Sequence, residues 1–256
     1  MKKLSPQLFT CCLFIITFVP AILAHGQDAV ELNGNSITQF VINPADFNPD
    51  DKEASVLRYE PFGNKKEAIY EKAEKKDGTP VIKATSESAI STVTTSIKAD
   101  PNEFRFLEWE WKIDSVLETG DLTKKDGDDF AARIYVTFDY PVSKLPFGQK
   151  IKYRFYKTFT SFKIPLRSLN YVWANKEEVG TIAESPFTGW VQYIVVESGN
   201  ENAGEWVSLK RNILEDYRKA FGEEPPAISG ITIMTDSDNT GESTEAWFGK
   251  IILSKN

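Results

Sequence analysis

Two oxygen-rich segments carry the residues best suited to chemistry. The first is Asp236-Ser237-Asp238-Asn239-Thr240-Gly241. Its alternating oxygens and terminal Gly partly match a calcium loop, in which side-chain oxygens converge on the ion around a sharp turn. The bidentate Glu of the full motif is missing, because Trp247 occupies the twelfth position. The second segment holds Asp126, Asp128 and Asp129. If the two loops meet, Asp126, Asp128, Asp236, Asp238 and Thr240 form a metal-ligand set, and calcium is the one cofactor the residues suggest. The alternative is a hydrogen-bonded Asx turn, with Asp and Asn oxygens accepting from nearby amides.

Directly after the second acidic segment come Arg133 and Tyr135, on one parity of an alternating run. Arg offers a planar fork of donors, Tyr a flat ring, and Asp129 an acceptor for hydroxyls. That chemistry suits a carbohydrate or another small polar ligand. Trp173, Glu197 and Arg211 are further ligand-binding candidates. The competing reading is an Arg–Asp pair across neighbouring strands. Glu108 and Glu110 share a face about 6.5–7 Å apart along a strand. That spacing is compatible with a glycosidase carboxylate pair but common on any solvated strand. Glu197 and Asp236 are alternative carboxylates for such chemistry.

Other chemistry is excluded. The one His is His25, so Ser–His–Asp and Cys–His catalysis and His-ligated zinc have no residues to work with. Both Cys, Cys11 and Cys12, lie in an apolar run from Leu8 to Leu23 that follows Lys2 and Lys3. This reads as a secretory signal peptide over residues 1–24, with Ala24 last before cleavage. The remaining chain, 25–256, is expected to be one domain after a flexible lead at about 25–37. It would lie in the periplasm or outside the cell, without disulfides or a transmembrane segment. The net charge of -7 falls further when Lys2 and Lys3 are lost, which argues against nucleic acid or an anionic membrane as the main partner.

The elements that must position these residues are mostly strands. In 104–114 Leu107, Trp109, Trp111 and Ile113 alternate with Glu108, Glu110, Lys112 and Asp114, which places both Trp rings in a core. Trp173, Trp190 and Trp206 lie nearer loops and are expected to be more exposed. Ile134, Val136 and Phe138 oppose Arg133, Tyr135 and Thr137. Asp77-Gly78 between alternating runs predicts a hairpin over 67–88, against a helical reading of 65–76. The aromatic, basic run 151–165 reads as a strand. One helix is predicted, with Asn212 as N-cap, an apolar stripe of Ile213, Leu214, Tyr217, Ala220 and Phe221, and Gly222 as its stop. Strand density with one late helix predicts an antiparallel β-sandwich, of jelly-roll type.

Several segments together resemble a bacterial family catalogued as domain of unknown function 3047. They are the Trp109-x-Trp111 strand, Asp128-Asp129-Phe130-Ala131-Ala132-Arg133, Tyr171-Val172-Trp173 and Val195-Val196-Glu197-Ser198-Gly199. Trp206, Arg211-Asn212, Asp216-Tyr217-Arg218, the run from Ala220 to Pro226, and Asp236-Ser237-Asp238-Asn239-Thr240 complete the set. The resemblance implies an exported β-sandwich, similar in outline to carbohydrate-binding and galactose-binding-like modules, and supplies no catalytic residues. The expectation is a protein that binds a carbohydrate or related ligand without catalysis. The alternatives are a polysaccharide-active enzyme using carboxylates or Tyr, and a structural or assembly protein of the envelope.

Overall fold

The structure, a computed structural model, describes residues 29–32, 37–50, 56–159 and 165–256. The signal-peptide expectation at 1–24 lies outside the described residues. In chain order the strands are β1 (Val30–Glu31), β2 (Gln39–Ile42), β3 (Arg58–Pro61), β4 (Ile69–Glu74), β5 (Pro80–Glu87), β6 (Ile90–Ala99) and β7 (Phe106–Ile113). They continue as β8 (Arg133–Phe138), β9 (Ser168–Ala174), β10 (Ile182–Glu184), β11 (Val191–Ser198), β12 (Val207–Asn212), β13 (Ile228–Asp236) and β14 (Ser243–Ser254). Two helices interrupt them, α1 (Phe147–Phe159) and α2 (Ile213–Phe221).

The strands form two sheets. The eight-stranded sheet runs β1-β6-β13-β8-β9-β11-β10, with β3 also on β6, and the six-stranded sheet runs β12-β7-β14-β5-β4, with β2 on β14. Most pairs are antiparallel; β1–β6 and β9–β11 are parallel. The fold is a β-sandwich, as its strand density predicts. Alternation decides which side chains face the other sheet. On β7, Leu107, Trp109, Trp111 and Ile113 are all buried. Trp109 meets Tyr171 of β9 at 5.3 Å between ring centroids, and Trp111 meets Trp173 at 6.0 Å. Rings from both sheets thus interlock at the centre.

The Asp77-Gly78 hairpin is present. Gly78 adopts φ 82°, and the turn closes through Gly78 N–H to Lys75 O at 2.9 Å and Thr79 N–H to Asp77 Oδ1 at 3.0 Å. The predicted helix is α2. Asn212 Oδ1 accepts from Glu215 N–H at 3.2 Å, and Gly222 ends it with a left-handed φ of 68°.

Three expectations change. Within the predicted strand 151–165, residues up to Phe159 belong to α1 instead, and 160–164 lie outside the described residues. Its short alternation coincides with a helical spacing that turns Gln149 and Tyr153, four apart, towards Trp190. Trp173 and Trp190 are buried rather than exposed, because an inter-sheet face and α1 cover them. The lead is not wholly loose, since Val30–Glu31 pairs with β6 and Leu32 is buried, its N–H on Lys98 O at 2.9 Å.

The buried core of the described residues runs from Leu32 to Leu253. A chain spanning 29–256 therefore keeps every described strand and helix. It is expected to unfold in one cooperative transition, with a urea midpoint equal to that of the longer chain; a lower midpoint would show that residues 1–28 contribute to the fold.

Candidate functional site

The link between β7 and β8 folds back over the outer face of the eight-stranded sheet. Leu122 and Phe130 cover Val172, Ala174, Tyr193 and Val195 there. This cover buries Arg133, the first residue of β8, whose side chain is only 4% exposed. Its guanidinium pairs closely with Asp236 at the end of β13, and reaches Asp128 Oδ1 at 3.5 Å. The Phe130 and Tyr135 rings stand 5.1 and 5.7 Å from it. Tyr193 donates its hydroxyl to both oxygens of Asp128, at 2.6 and 2.7 Å. Burial holds the Asp128 carboxyl above the usual carboxylate range, although Arg133 and Tyr193 favour its charge. Burial, reinforced by Asp128, pushes the Tyr193 phenol well up, so it stays a donor.

Asp129 does different work. Its Oδ2 accepts from the N–H groups of Asn239 at 2.9 Å and Thr240 at 2.6 Å, and from Thr240 Oγ1 at 2.9 Å. Its Oδ1 accepts from Asn239 Nδ2 at 2.9 Å. The two acidic loops thus meet, with Asp129 fastening the 236–241 turn. Asp129, Asp236 and Asp238 bring one oxygen each within 4.8 Å of one another. Asp238 Oδ2 binds Lys65 Nζ at 2.8 Å, and its Oδ1 is buried without a partner. Of the other proposed ligands, Thr240 spends its hydroxyl on Asp129, Asp128 faces Tyr193 and Arg133, and Asp126 is exposed on a short turn. In this geometry Arg133 and Lys65 are the counter-cations of the cluster. Calcium would have to take Asp236 from Arg133 and displace amide donors from Asp129.

The remaining sequence candidates lie apart from Arg133. Trp173 donates Nε1–H to Gly199 O at 2.9 Å from within the core. Glu197 accepts from Asn202 Nδ2 at 3.1 Å. Arg211 grips Asp216 through two bonds of 2.9 and 2.6 Å, and Asp216 also accepts from the Tyr171 hydroxyl at 3.0 Å. That trio ties β12, α2 and β9 together. Glu108 and Glu110 sit on the solvated face of the six-stranded sheet, paired with Lys210 at 2.8 Å and Lys75 at 2.6 Å.

An open cleft exists at the opposite end of β8. The N–H of its last residue, Phe138, bonds Arg167 O at 3.1 Å, and Arg167 lines a cleft of about 380 Å³. Gln149 and Lys152 of α1, Glu184 of β10, Thr188, Gln192 of β11, Trp190 and Phe221 complete its walls. Antiparallel pairing sets Glu184 opposite Gln192. A Cβ on Gly189 would lie 2.8 Å from Glu184 Oε1, so glycine there leaves room for the carboxylate. Arg167 is held by Glu223 at 2.8 Å and stacks 4.2 Å from the Tyr140 ring and 5.0 Å from Phe221. Trp190 donates Nε1–H to Gln149 at 3.0 Å. Sequence reasoning named only Trp190 among these residues, for an exposure that it does not have. The rest come from four separated segments with no shared motif.

The family model described as "Protein of unknown function (DUF3047)" matches residues 57–252. The chain belongs to this family. No curated protein sequence matches this member of it. Among solved structures, it is similar to a family 11 carbohydrate-binding module from Clostridium thermocellum in complex with a β-1,3-1,4-mixed-linked tetrasaccharide. That likeness has a TM-score of 0.40 and 8% identity, and covers 86% of this chain and 97% of that one. A lectin from Bauhinia forficata in complex with GalNAc gives 0.36, 11%, 86% and 100% on the same measures. Likenesses at these scores carry no argument about this member's ligand or activity.

Two predictions follow from the buried centre. Arg133→Met should cost about 3–5 kcal/mol, because it leaves buried carboxylates without a counter-charge. Urea denaturation reads this, and the double variant Arg133→Met with Asp236→Leu should recover part of the loss. Calcium should not raise the melting temperature, nor a chelator lower it. A calcium-dependent rise of several degrees would show that an ion completes the cluster.

Proposed function

We propose that this chain is an exported β-sandwich that binds a carbohydrate without catalysing a reaction, and that the ligand sits in the cleft between α1, β10, β11 and the end of α2. The observation that carries the reading is the cleft's mixture of groups. Gln149 and Gln192 offer amides, Glu184 an acceptor, Lys152 and Arg167 donors, and Thr188 a hydroxyl, beside the half-buried ring of Phe221 and over the buried Trp190. Sugar hydroxyls both donate and accept, and their C–H faces pack on rings, so a carbohydrate uses the whole set. A volume of about 380 Å³ suits one or two sugar rings.

The non-catalytic part is supported by how the carboxylates are used. Glu184 has no hydrogen-bond or ion-pair partner among the described residues, whereas nearby Glu223 is held by Arg167 and Tyr217. Two-carboxylate hydrolysis needs a second group about 5–9.5 Å from the first on the other side of the bond. Export is supported by Lys2 and Lys3 followed by the apolar run to Leu23.

A glycan array followed by calorimetric titration of the best binder tests this. Glu184→Ala and Gln192→Ala should each weaken binding by about tenfold or more, the usual loss for a hydrogen bond to a charged or buried partner. Gly189→Ala should act likewise by displacing Glu184. Undiminished affinity in all three variants would remove the cleft from the argument, and release of reducing sugar from the bound glycan would make the protein an enzyme.

A further inference from the structure

One segment has a charge opposite to that of the chain. From Pro141 to Lys176 there are eight Lys and Arg and no Asp or Glu, in a protein of net charge -7. Helix α1 lies inside this segment, 13 residues long. Its inner side is accounted for: Gln149 bonds Trp190, and Tyr153 meets the Trp190 ring edge-on at 6.0 Å. At 100° per residue, Phe147 and Ile151 fall on the side turned away. Phe147 is 79% exposed and Ile151 54%, and Val142 just before the helix is exposed too. Lys144 and Arg154 are exposed beside them.

We propose that the outward face of α1 docks on an anionic lipid surface. Two adjacent large apolar side chains in water are unfavourable unless something covers them. A free anionic polymer would meet the cations and leave Phe147 and Ile151 wet. A bilayer interface takes both, because the apolar side chains enter the acyl boundary while Lys and Arg meet the anionic headgroups. Among the described residues no helix is long and apolar enough to cross a membrane, so α1 lies on the surface. The proposal is independent of the sugar cleft, since Phe147 and Ile151 do not line it.

The test is co-sedimentation of residues 29–256 with vesicles of phosphatidylcholine alone or mixed with phosphatidylglycerol. The protein should pellet with the mixed vesicles at low salt, and much less with phosphatidylcholine alone or in 0.5 M salt. Phe147→Ser with Ile151→Ser should weaken binding at least tenfold, and so should Lys144→Glu with Arg154→Glu. Matching urea midpoints would show that these exposed substitutions leave the fold intact. Failure to pellet, or equal pelleting of the serine variant, would overturn the proposal. So would binding to dextran sulfate that the serine variant retains in full, which would assign the face to an anionic polymer. Loss of a dimer in the serine variant, without vesicle binding, would assign it to a second copy of the chain.

Discussion

The structure depends on one buried cation. Arg133 sits under the loop that joins the two sheets, close against Asp236 and near Asp128. A guanidinium in that position is tolerable only if carboxylates come to it, and each carboxylate arrives from a different part of the chain. Asp128 comes with the crossover loop, and Asp236 with the end of β13. Asp129, beside Asp128, then fixes the turn between β13 and β14 through the amides of Asn239 and Thr240. One charge centre therefore sets where the crossover loop lies, where β13 ends and how β14 begins. Since β14 enters the six-stranded sheet between β7 and β5, the centre also fixes how the two sheets relate.

The richest cluster of charged residues is thus largely committed to its own members. Its donors and acceptors are mostly used on one another, and the apolar cover of Leu122 and Phe130 closes it to solvent. At the other end of the sandwich the sheet is less completely covered. There the short strand β10, the start of β11, α1 and the end of α2 leave a polar space that none of them fills. The strand β8 runs between the two regions, with Arg133 at its start and Phe138 at its end.

Much of the fold was legible because its signals are local. The alternation in β7 assigned Trp109 and Trp111 to the core, Asp77-Gly78 marked a hairpin, and Asn212 and Gly222 bounded α2. The strand reading of 151–165 failed because a short aromatic-basic run satisfies both periods, and only the contact with Trp190 selects the helix. Trp173 and Trp190 were misjudged for a related reason. Nearness to a loop in sequence says nothing of what packs over a ring.

By itself the sequence determined the class of fold, the exclusion of His and Cys chemistry, and the residues of the acidic loops, because periodicity, capping and composition are properties of neighbouring residues. It also singled out Asp128 and Asp236 as metal ligands and Asp129 and Arg133 as ligand-binding residues. Only the tertiary structure decided that Arg133 answers Asp236, and that Asp129 serves a turn. It alone assembled Gln149, Arg167, Glu184 and Gln192 around one cleft. The physical reason is common to both results: a buried charge and a concave surface are defined by segments far apart in the chain, and pairing between strands is what brings those segments together.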